Sequence, residues 1–168
     1  MVANVNSAYL GEITKLGLTD PDSNEVVPFD GPRFAGDFML TSQGDLEQIY
    51  VSDAGGSHRG LTVLSLAQAV DDTAWTSGST GPVYSAKSVN DAVDVITGPF
   101  NSDQPLVAAT PCGANSAPAT CPAPPSYPAN YLATMNPWTG QVTALKTVGH
   151  HSCLRVGWRL FQGIGGDA

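Results

Sequence analysis

Basic side chains are scarce in this sequence. Seven lysines and arginines stand against 15 aspartates and glutamates, a formal net charge of −8. A surface of that sign repels polyanions, which argues against nucleic acid and anionic membrane surfaces as partners. Long apolar runs are also missing, and nowhere does one reach the length of about 18 residues that marks a spanning helix. The N-terminus has no charged segment leading into an apolar one, so a secreted form would carry its signal outside this chain. Gly-x-Ser-x-Gly, Walker, His-Glu-x-x-His and paired Cys-x-x-Cys motifs are all absent. Only three cysteines occur. Cys112 and Cys121 bracket "GANSAPAT", a loop of small residues that a disulfide would close, which suits an oxidising, extracytoplasmic compartment. Two free thiols are the alternative. Cys153 is left beside His150 and His151, and a Cys/His metal site there would need a further ligand at proper spacing.

Glycine and proline, by contrast, are plentiful. Eighteen Gly and 13 Pro, with 42% hydrophobic and 13% charged residues, describe an all-β chain rich in turns. Residues 1–168 suit a single domain able to bury a core. No convincing amphipathic helix stands out. Short extended runs, "DFMLTS", "QIYVSDA" and "LTVLSLAQAV", are separated by Gly-rich or Asp-rich turns, the spacing of an antiparallel meander. "DDTAWTSGSTGP" reads as a loop by composition, and "VYSAKSVNDAVDVITGPF" and "QPLVAAT" resume extended structure. A Pro-rich insertion at 111–128 has few amides to donate to a ladder and reads as a surface loop. In the closing "CLRVGWRLF", Leu154, Val156, Trp158 and Leu160 alternate with Arg155 and Arg159 as in a strand with one apolar face.

Two stretches match in spacing. Asn136-Pro137-Trp138-Thr139-Gly140 falls over Asp20-Pro21-Asp22-Ser23-Asn24, with extended runs on either side. Asn or Asp caps such a turn, Pro presets φ, and Gly140 or Asn24 accepts the positive φ that closes it. The pattern predicts two hairpins, the first joining Ile13–Leu18 to Glu25–Phe29. It fits either an internal repeat or the commonness of such turns in all-β chains.

Residues able to carry chemistry are few. His58 lies in "DAGGSHRG" with Asp53 and Ser57, on a Gly-rich turn between two strands, and His150 and His151 follow the second hairpin. Bringing His58 and one later histidine to a common mouth would give a general base near neutral pH, with Asp53 or Asp37 orienting an imidazole or binding a metal. Solvated loop histidines are the plainer reading. Trp138, at a turn apex, is placed to stack on a sugar or a partner, whereas Trp158 reads as core.

The run "GDFMLTSQGDLEQIYVSDAGGSHRGLTVLSL" together with "YLATMNPWTGQVTAL" resembles the blades of secreted β-propellers. Among these, propellers of the gluconolactonase and paraoxonase type are calcium-dependent lactone and ester hydrolases. The resemblance implies a hydrolase acting on a small-molecule lactone or ester, with calcium held by oxygen ligands. A non-catalytic extracellular module recognising a glycan or a protein is the alternative. Propellers have about four or more blades, and blades of about 40 residues allow only about three in this chain. Open sheet edges would follow, and the expectation is either a homo-oligomer, a dimer first of all, that closes the ring or a fragment of a longer protein.

Overall fold

The computed structural model describes residues 4–7, 12–76, 81–87, 92–110, 131–145 and 160–162. The described residues contain strands and turns and no helix, so the chain is all-β with antiparallel sheets. A first pair, β1 (Asn4–Ser7) and β2 (Glu12–Lys15), stands as a two-stranded sheet. Next come β3 (Pro21–Val26), β4 (Phe38–Ser42), β5 (Glu47–Ser52) and β6 (Gly60–Ser65), a four-stranded meander in sequence order. The second four-stranded sheet runs β7 (Val70–Trp75), β10 (Pro105–Ala109), β11 (Tyr131–Met135) and β12 (Val142–Ala144). Between β7 and β10 the chain leaves to form β8 (Val83–Lys87) and β9 (Ala92–Ile96), which join β13 (Leu160–Gln162) in a third sheet.

Side-chain alternation sorts the first sheet into two unlike faces. Val26, Phe38, Val51 and Leu61 form one row across its four strands, and Leu40, Ile49 and Val63 lie on the same face. Glu25, Met39 and Tyr50 form a row on the other face. That second face packs on the second sheet. Met39, Tyr50 and Leu64 join Val70, Trp75, Val107, Ala133 and Met135 in one core cluster. The far side of the second sheet is covered by the inserted hairpin, where Val83 and Phe100 pack on Leu106 and Leu132. Thr76 ties that insertion at its root, its hydroxyl donating to the Asn101 carbonyl at 2.6 Å and accepting from the Gln104 amide at 2.8 Å.

The two expected hairpins part company here. Residues 131–144 form the second one, with Met135 opposite Val142. Asn136 Oδ1 accepts the amides of Trp138 at 2.9 Å and Thr139 at 3.2 Å, and Gly140 takes φ +69°. The first hairpin does not form. Asp20 is the residue at positive φ, 55°, and Pro21–Val26 is a strand that pairs with β4. Pro21 is tolerated because it opens an edge strand, where no ladder bond is asked of its nitrogen. A register shift between Pro21 and Asn24 then sets Ser23 and Glu25 inward.

"DDTAW" is also corrected, from loop to strand. Val70, Asp71, Thr73 and Trp75 are buried within β7. Composition misleads at this point because Thr73 meets a polar partner inside the fold, its hydroxyl accepting from Gln48. The Pro-rich insertion, all three cysteines, and the alternating run before Leu160 lie outside the described residues.

Gly140 is fixed twice over. Its φ is left-handed, and a Cβ there would strike the carbonyl oxygen of Ser65. Gly140→Val should therefore lower stability by about 2–5 kcal/mol, combining backbone strain with overpacking. Chemical denaturation of both proteins measures it, and an unchanged midpoint would contradict this turn geometry.

Candidate functional site

The Gly-rich turn between β5 and β6 places three of the expected residues together. Ser57 Oγ lies 3.1 Å from His58 Nδ1, and all of Asp53, Ser57 and His58 are exposed. Asp53 does not face the imidazole. Its Oδ2 accepts the backbone amide of His58 at 2.9 Å, while its carbonyl accepts the amide of Gly56 at 2.9 Å. The carboxylate thus closes the loop, and Gly56 is needed because a Cβ there would run into it. Ser57 and His58 both lie in solvent, and the Asp53 carboxylate is directed to the loop backbone.

Asp37 flanks the same end of the β4–β5 pair as Asp53. It is half-buried, and burial raises its carboxyl above the ordinary range. Among the described residues, no group of three or more His, Cys, Asp or Glu is gathered in a way that could hold a metal ion. His150 and His151 lie outside the described residues.

A second cluster, which the sequence did not single out, lies where the two four-stranded sheets meet. Gln48, fully buried on β5, uses its side-chain amide in three directions. Its Nε2 donates to Thr73 Oγ1 on β7 at 2.8 Å and to Thr41 Oγ1 on β4 at 3.4 Å. Its Oε1 accepts the Tyr50 hydroxyl at 2.7 Å. Ser23 extends the chain from the edge, donating to Thr41 Oγ1 at 3.3 Å. Burial pushes the Tyr50 hydroxyl well above its usual range, so it stays a neutral donor. Phe34 stacks on the Tyr50 ring at 3.8 Å between centroids, and Arg33 lies over Phe34 at 4.2 Å.

Glu25 stands at the edge of this network. Its Oε1 is buried with no hydrogen-bond partner among the described residues. Burial first, and then the charge of Asp72 on the neighbouring sheet, push its carboxyl up from 4.5 to about 8. A carboxylic acid is therefore held neutral at physiological pH beside a second carboxyl group. Asp72 is set by β7, where its Oδ1 accepts the Thr73 amide at 2.9 Å. This pairing was legible only in part. The alternation of Pro21, Ser23 and Glu25 places them on one face once a strand is assigned, but the turn reading hid the strand.

No protein-family model, curated protein or solved structure matches the chain.

The raised pKa has a direction for stability. Between pH 4.5 and about 8 the folded state keeps a proton that the unfolded state has released. Stability is undiminished below that window and falls as pH rises through it. Melting temperatures across pH 4–9 should fall toward pH 8 in the wild type, whereas Glu25→Gln should flatten the slope and be the more stable protein at pH 8. Parallel curves for the two would show that Glu25 ionises freely.

Proposed function

We propose that the chain is a hydrolase of lactone or ester bonds in which the Glu25–Asp72 pair does the chemistry. The observation that carries this reading is a carboxyl group kept protonated up to about pH 8 beside a second one. Acid–base hydrolysis needs two groups whose environments separate their protonation. Asp72 takes a proton from water as the water oxygen bonds to the substrate carbonyl carbon. Glu25 gives its proton to the departing alkoxide as the carbon–oxygen bond breaks. An acid and an alcohol result, or one hydroxy acid from a lactone, and solvent returns the proton from Asp72 to Glu25.

Calcium enters as an alternative to the acid–base route, through the propeller resemblance. A hard cation takes about 6–8 oxygen ligands. Glu25 Oε1, buried and unpartnered, and the Asp72 carboxylate fit it in kind, and neutral oxygens or water would supply the rest. When bound, it would polarise the carbonyl as a Lewis acid. Calcium at Glu25 would displace the proton, so the acid and ligand roles exclude each other at that residue.

The fold reading goes with the activity. The two four-stranded meanders are taken as propeller blades, in a secreted protein that self-associates to close the ring. Support comes from the far face of the first sheet, where Val26, Leu61 and Val63 are 58, 45 and 48% exposed although Ile49 and Val51 on that face are buried. Among the described residues β6 pairs with β5 alone, an edge of the kind that invites further pairing.

Turnover of a panel of lactones and p-nitrophenyl esters, with calcium and with chelator, tests the activity. Glu25→Gln and Asp72→Asn should each lower kcat at least ~100-fold, the usual worth of a general acid or base. His58→Ala should match the wild type, and the wild-type rate should fall above about pH 8 as Glu25 loses its proton. Turnover that survives both carboxyl variants would reject the pair, and none in any protein would favour the binding-module alternative. Light scattering tests the assembly. More than one subunit is expected, with Leu61→Lys/Val63→Lys shifting the protein to monomer, and a concentration-independent wild-type monomer would overturn it.

A further inference from the structure

We infer that Trp138 is a preformed platform for a neutral carbohydrate chain, a binding site separate from the Glu25–Asp72 pair and independent of the hydrolase reading. Its indole is 55% exposed at the apex of the β11–β12 turn. Exposed tryptophan on a floppy loop would be unremarked, but this turn is held from every side. Asn136 caps the amides of Trp138 and Thr139 with its side chain, and its carbonyl accepts the amides of Thr139 at 3.3 Å and Gly140 at 2.8 Å. Arg33 reaches across from the β3–β4 loop and donates to the carbonyls of Pro137 at 2.8 Å and Trp138 at 3.2 Å. On the other flank, the Gly140 carbonyl accepts the amide of Ala67 at 3.0 Å. An aromatic ring on such a turn loses little further freedom on binding, which is where preorganisation contributes to affinity.

The neighbours of the ring define the ligand. Asn136, Thr139, Gln141 and Thr143 are exposed along the same turn and strand, and each is an uncharged hydrogen-bonding side chain. Arg33, the cation nearest to them in these contacts, directs its guanidinium into the turn's carbonyls and onto the Phe34 ring. Among the described residues of this turn and strand no side chain is charged, and the net charge of −8 disfavours an anionic ligand. A sugar ring presents what these groups can take, a C–H face for the indole and hydroxyls for the amides and hydroxyls around it. A protein partner would need about 800 Å² of surface with an apolar centre, and the exposed residues that share this turn and strand with Trp138 are polar instead. Phe29, 90% exposed on the loop that Arg33 ties to this turn, offers a second ring to a chain longer than one sugar.

Affinity electrophoresis of the full chain through gels containing xylan, mixed-linkage glucan, galactomannan or soluble starch tests the site, followed by calorimetry with the matching hexasaccharide. At least one neutral polysaccharide should retard the wild type. Trp138→Ala should weaken that binding ten-fold or more at unchanged melting temperature, and Trp138→Phe should recover most of it. Binding equal in wild type and Trp138→Ala would overturn the inference. So would retardation by none of the four, including the case in which Trp138→Ala instead abolishes self-association.

Discussion

One buried amide holds the two halves of this protein in register. Gln48 sits in the core at 0% exposure, and a side-chain amide there is tolerable only if its donors and acceptor are met. They are met by Thr41 on its own sheet, Thr73 on the opposite sheet and the Tyr50 hydroxyl. Apolar packing alone would let one sheet slide on the other at little cost, because hydrophobic contact is non-directional. The bond from Gln48 to Thr73 has a direction and a length, so it selects one placement. The position of Glu25 beside Asp72 depends on that placement, since the first residue belongs to β3 and the second to β7.

A related division of labour runs through the loops. Asp53, Asn136 and Asp45 are polar residues at strand ends, and each uses its side-chain oxygen to hold backbone amides. Asp45 Oδ2 accepts the Ser42 hydroxyl and the Thr19 amide, both at 2.6 Å, and its carboxyl is held below the ordinary range chiefly by the Ser42 bond. Groups whose charge is stabilised in this way are committed to structure. Glu25 stands in the opposite condition, desolvated and with one oxygen unpartnered. Under the proposed hydrolase reading that contrast favours the sheet junction over the Gly-rich turn, where the serine, histidine and aspartate are all exposed.

Local chemistry was readable where it was self-contained. The Asn-Pro-x-Thr-Gly turn needs nothing beyond its own residues to specify a cap, a preset φ and a left-handed glycine, and it forms as read. The apolar runs of β4, β5, β10 and β11 announce themselves by composition. Asp20-Pro21 uses the same turn vocabulary to a different end, because Pro21 becomes the first residue of an edge strand once β4 is alongside. Asp71 and Asp72 looked like loop residues because acidic side chains seldom enter a core. Here Asp71 is buried within β7, and Asp72 is half-buried with its Oδ1 accepting the Thr73 amide.

The sequence by itself determined an all-β chain, the short antiparallel strands of its central region and the form of the second hairpin, since these follow from periodicity, turn residues and φ preferences over a few neighbouring positions. Tertiary structure decided which strands pair, that Val26, Leu61 and Val63 stay exposed on the far face of the first sheet while Ile49 and Val51 are buried there, and that Glu25 feels the charge of Asp72. Those outcomes join residues distant in the chain, and no local preference encodes the desolvation that one sheet imposes on another.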